Sequence, residues 1–158
     1  MVREQPRTIE LKMLALGIVL GLVQVVLSAQ SKNLQHGYRW AAGPRDEPRP
    51  QLTGIAGRLE RALGNFVETF PLFAAAVFLA HAAGRHDWMT IFGSQLYFWA
   101  RVAYVPLYVF GVVLVRSLAW NVATLGIVLI LVSLAIRALA FDLGEVGDGK
   151  RGGADAVE

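Results

Sequence analysis

Four stretches of this chain are apolar over a length that can cross a bilayer: Leu11 to Ala29, about Phe66 to Ala83, about Trp88 to Phe110, and Leu118 to Ala140. The first has 19 residues. At a rise of about 1.5 Å per residue it covers about 28 Å, close to a hydrocarbon core of about 30 Å. It is longer than a usual signal-peptide core, and Ser28-Ala29-Gln30 is a poor cleavage site, so it reads as a permanent helix. With their polar first turns included, the predicted helices cover about 11–29, 58–83, 88–110 and 116–140. Between them lie a polar loop from Gln30 to about Gly57, a tight turn at Gly84-Arg85-His86-Asp87 and a short connection around Gly111 to Ser117. Pro44, Pro48 and Pro50 keep the first loop from being one helix. Residues 144–158 are Gly-rich and mixed in charge, which predicts a disordered tail. The fold class is all-α and integral to a membrane, a bundle of four transmembrane helices.

Composition agrees with that pattern: 55% of the 158 residues are hydrophobic, with a mean hydropathy of +0.48. This is too apolar for a soluble domain, and the excess must face lipid. A net charge of +3 spread between apolar runs offers no basic block to track a phosphate backbone, so nucleic acid is excluded as a partner. Cysteine is absent, which removes disulfides, thiolate nucleophiles and cysteine-bound metal. Any thiol chemistry must use a substrate's thiol. His36, His81 and His86 lack metal-ligand spacing, and no metal site is expected. The four tryptophans suit membrane anchoring or packing, and Pro71 and Pro106 suit helix kinks.

The polar residues inside the helices are gathered on one side. Arg58, Arg61, Asn65 and Glu68 follow at spacings of three, four and three, which is one helical stripe in the half of the second helix nearest the first loop. The third helix returns toward the same side with Tyr97, Arg101, Tyr104 and Tyr108 at four, three and four. Arg116 and Ser117 open the fourth helix on that side again. The first loop and its exit carry Lys32, Arg39, Arg45, Arg49, Arg58 and Arg61 against Arg85 alone in the second. That favours a cytoplasmic first loop, although Arg3, Arg7, Lys12, Lys150 and Arg151 argue the other way.

A charged side chain at mid-membrane is unfavourable by about 2.5 to 3.5 kcal/mol on insertion scales, so Glu68 and Arg101 need partners. The plainer reading is that they pair with each other, or with an arginine of a neighbouring subunit, and only hold helices together. The functional reading rests on arithmetic. Arg58, Arg61, Arg101 and Arg116 outweigh Glu60 and Glu68, which leaves surplus positive charge suited to a ligand carrying carboxylates.

Two strings resemble a known family, the membrane-associated proteins of eicosanoid and glutathione metabolism. Glu60-Arg61-Ala62-Leu63-Gly64-Asn65-Phe66-Val67-Glu68, followed by Pro71, is similar to the signature of its second helix. Ala100-Arg101-Val102-Ala103-Tyr104, then Tyr108, Gly111 and Arg116-Ser117, is similar to the second signature, which ends in an Arg-Ser pair. The resemblance implies a homotrimer of four-helix bundles, with glutathione as co-substrate between subunits near the cytoplasmic face. It implies that Arg61, Asn65 and Glu68 hold the peptide's charged ends and that Arg101, Tyr104 and Tyr108 extend the pocket. Gly64 stands where some members carry a further arginine, so that contact is either missing or supplied by Arg58. Arg116 and Ser117 would sit near the thiol as the catalytic pair, the guanidinium favouring thiolate. Ser117 is equally readable as the N-cap of the fourth helix. The implied activity is a glutathione transferase or peroxidase acting on lipophilic electrophiles or lipids. The alternative is a non-catalytic lipid-binding or scaffold protein of the same fold. A channel is disfavoured, because the first and last helices lack a polar stripe along their depth.

Overall fold

The computed structural model describes residues 8–38, 42–43 and 51–152, with side chains as far as Leu139. Four helices follow in order: α1 (Ile9–His36), α2 (Gly54–Ala82), α3 (Trp88–Phe110) and α4 (Val113–Gly152). They alternate in direction. One end of the bundle carries the Lys32–Glu60 ion pair at 2.9 Å and the two hydrogen bonds between Gln35 and Thr53. The other carries the α2–α3 turn. The proline-rich part of the first loop, with Arg39, Arg45 and Arg49, lies outside the described residues, as do Arg3 and Arg7 and the last six residues of the tail.

Three of the helices are long and apolar enough to cross a membrane by length and composition: α1, α2 and α4 over Val113–Leu139. α3 has 23 residues, about 35 Å of helix. It does not meet the same criterion, although Arg101 is its only charged residue. The outer surface is apolar, and several polar side chains are buried. Gln24, Ser28, Thr69, Thr90, Ser94, Arg101 and Ser133 are buried, while Val19, Leu22, Val26, Phe78, Leu125 and Leu131 are exposed along the outer faces. Such a surface is stable only in lipid.

The helix ends have local causes. Asp87 caps α3: its carboxylate accepts from the backbone of Met89 and Thr90, and Thr90 Oγ1 accepts from the backbone of Asp87 in return. α3 stops at Gly111, whose φ of 77° is left-handed. The reversal needs only Gly111 and Val112, so α4 begins at Val113, earlier than expected. Ser117 therefore lies in the second turn of α4. Its hydroxyl donates to the Val113 carbonyl at 3.1 Å, which removes the N-cap reading. At the far end the backbone of α4 continues to Gly152, into the segment expected to lack structure; four glycines there weaken a helix, but no proline ends it.

Packing is closest between α3 and α4. A Cβ on Gly93 would lie 2.6 Å from the Gly126 carbonyl oxygen, and one on Gly126 would lie 2.5 Å from that of Gly93. Two glycines thus let the backbones touch, as membrane helices do. α1 packs on α2 and α3 but not on α4. Gly17 and Gly21 leave room there for the rings of Phe70 and Phe66. The core joins Leu14, Phe73, Val77, Tyr97, Ala123, Ile127 and Ile130, with the Phe73 and Tyr97 rings stacked at 4.0 Å.

Candidate functional site

Asn65 on α2, Tyr104 and Tyr108 on α3, and Arg116 and Ser117 on α4 surround one cavity of about 250 Å³ at the end of the bundle nearest the first loop. Trp120 and Asn121, one turn along α4, complete its wall. Neither of these two stood out as a site residue in the sequence. Their signal is the position i+4 from Arg116 and Ser117 on the same helical face.

The Arg116 guanidinium lies over the Tyr108 ring, 4.4 Å from its centre. Tyr108 in turn leans on Tyr104, with centroids 5.5 Å apart. The next member inward is Arg101, 5.2 Å from the Tyr104 ring and 5.6 Å from that of Tyr97. From core to cavity the order is thus phenol, guanidinium, two phenols and guanidinium, each cation resting on a negative ring face. The ladder holds Arg116 at the cavity edge, and among the described residues no carboxylate forms an ion pair with it.

Arg101 is only 1% exposed and, among the described residues, does not pair with Glu68, contrary to the expectation that the two charges meet within one subunit. It donates to the Asn65 carbonyl oxygen at 3.3 Å, to the Asn65 side-chain oxygen at 3.5 Å and to Thr69 Oγ1. Thr69 also bonds the Tyr97 hydroxyl at 3.2 Å. Among the described residues the Nε of Arg101 has no hydrogen-bond partner. The physical reason is the face geometry: Asn65 and Thr69 are one turn apart on the inner face of α2, while Glu68 turns outward and is exposed on the single chain. Arg61 shares that exposed stripe. Among the described residues neither Arg61 nor Glu68 has a hydrogen bond or ion pair.

Arg58 is committed elsewhere. Its Nη1 donates to the Val109 carbonyl oxygen at 2.8 Å, and the guanidinium lies against Gly111. It closes the C-terminal end of α3, where free carbonyls favour a cation. The structure therefore brings Asn65, Tyr104, Tyr108, Arg116 and Ser117 around one cavity, sets Arg101 behind it, and leaves Arg58, Arg61 and Glu68 off its wall.

An all-helical bundle with an apolar outer surface and several buried polar side chains, three of whose helices can each span a bilayer, defines an integral membrane protein. Residues 13–136 match the model of the MAPEG family, and the chain belongs to that family. No curated protein matches it.

Proposed function

We propose that the protein is a glutathione-dependent transferase or peroxidase of the membrane, acting on lipophilic electrophiles, and that it works as a homotrimer. The observation that carries this reading is the cavity wall itself: one guanidinium, one hydroxyl, two amides, two phenols and an indole, with no acid among them. A ligand with carboxylates suits such a wall, and Arg101 behind it adds a second uncompensated charge. Family membership points to glutathione metabolism, and glutathione supplies the thiol that a chain without cysteine lacks.

In the transfer reaction the thiol gives its proton to water, the thiolate attacks the electrophilic carbon, a C–S bond forms, and the leaving group departs with the pair of the bond that breaks. Arg116 favours the thiolate by its charge, since a nearby cation lowers a thiol's pKa. Ser117 donates to the sulfur after rotating away from the Val113 carbonyl, to which it is bonded here. The exposed stripe of Arg61 and Glu68 would meet a neighbouring subunit, because two charges facing acyl chains are unfavourable. In that assembly they hold the charged ends of glutathione together with Asn65, and the site faces the cytoplasm. Binding of glutathione to the detergent-purified protein, followed by turnover of a chromogenic electrophile, tests the reading. Saturable binding with turnover supports it. Binding of lipid without binding of millimolar glutathione would replace it with the lipid-binding alternative.

A further inference from the structure

The end of the bundle away from the cavity holds a second group of ionisable residues. Glu10, in the first turn of α1, is 3% exposed. Its Oε1 lies 2.6 Å from Thr90 Oγ1 on α3 and 3.5 Å from His86 Nδ1 in the α2–α3 turn. The Thr90 hydroxyl has one hydrogen and two acceptors in reach, Glu10 and the Asp87 carbonyl oxygen at 2.9 Å. While Glu10 is a carboxylate, that hydrogen must go to it. Once Glu10 is protonated, the acid donates to Thr90, and the Thr90 hydrogen turns to Asp87. Both protonation states are hydrogen-bonded, but only the ionised one attracts a protonated His86.

We propose that Glu10, Thr90 and His86 form a proton-operated latch that ties the start of α1 to the α2–α3 turn. It is closed while His86 is protonated and Glu10 ionised, and loosened when His86 loses its proton. The neighbouring charges leave this role to His86 among the described residues. Arg85 is taken by Asp87 at 2.9 Å and by Ser133. Arg137 of α4 donates to the Ala83 carbonyl oxygen. His81 of α2 faces His86 with ring centroids 5.5 Å apart. Because α1 has no contact with α4, its N-terminal end depends on this contact and on packing against α2 and α3. A histidine gaining a partner stabilises the folded state below its pKa, and the contribution is lost as pH rises through it.

The test is amide hydrogen exchange on the purified full chain between about pH 5.5 and about pH 8, across the usual histidine range, corrected for the intrinsic rate. Amides from Lys12 to Gly17 should lose protection about tenfold or more over that range in the wild type, with those of α4 unchanged. His86→Gln should abolish the pH dependence, and Glu10→Gln, which keeps a hydrogen bond to Thr90, should abolish it too. Equal protection at both ends of the range in the wild type overturns the latch, and so does a pH dependence that persists in either variant. His86 is partly exposed, so His86→Gln decides the matter alone if Glu10→Gln does not fold.

Discussion

Arg116 carries the chemistry in this account, and its surroundings separate its charge from its shape. Arg116→Ala should remove most turnover while glutathione affinity stays within about tenfold, or about 1.4 kcal/mol. Arg116→Lys should restore part of the rate, because the charge returns without the planar fork that lies on Tyr108. Steady-state kinetics beside calorimetry separates the two effects. Ser117→Ala should cost less, since its hydroxyl is bonded to the Val113 carbonyl rather than poised over the cavity. Glu68 differs from a buried counter-ion: it is exposed on the single chain. Glu68→Ala should therefore leave the helix content and fold of the subunit intact and show its effect in trimer yield and glutathione binding. A loss of helical circular dichroism in this variant would contradict that. The residue pattern places Asn65, Tyr104, Tyr108, Arg116 and Ser117 in one layer, because period and direction fix which face and which end each occupies. It does not choose the partner of Arg101, because several side chains of one stripe lie within reach of a long guanidinium and only packing decides among them.

At the scale of single helices, the ends are set by chemistry that can be removed one residue at a time. Asp87 holds the start of α3. Burial acts against its ionisation, but the Ser133 hydroxyl, the Thr90 amide, the Arg85 charge and the Met89 amide together outweigh it and lower its pKa. A lowered carboxylate pKa stabilises the folded state above the unfolded value of about 3.9, and the contribution is lost as pH falls through the folded value. Asp87→Ala should cost about 1 kcal/mol near neutral pH and flatten the acid limb of the stability profile, read by thermal unfolding in detergent. Gly126→Ala tests the α3–α4 contact. Its Cβ has no space against the Gly93 carbonyl, so it should destabilise by about 1 to 3 kcal/mol or more. The four apolar runs give the number and order of the helices. They do not give the true lengths, because α1 and α2 continue into polar turns, and a left-handed glycine shortens the α3–α4 connection to two residues. The grouping of Glu10, Thr90 and His86 was not legible in the sequence, since Glu10 and His86 are far apart in the chain and meet through the tertiary fold.

For the whole molecule, the distribution of charge supports the account: an exposed stripe on α2, a cavity with a guanidinium at its edge, and a buried cation behind it. Assembly into a trimer would cover the stripe, and cross-linking or native mass spectrometry of the wild type should find three subunits. The central claim is that the cavity binds glutathione and holds it as thiolate beside Arg116. It is tested most directly by the ultraviolet absorbance of thiolate on bound glutathione, titrated against pH in the wild type and in Arg116→Ala. The account predicts a bound-thiol pKa below that of free glutathione in the wild type, shifted back toward the free value in the variant. The same bound-thiol pKa in both proteins would contradict it.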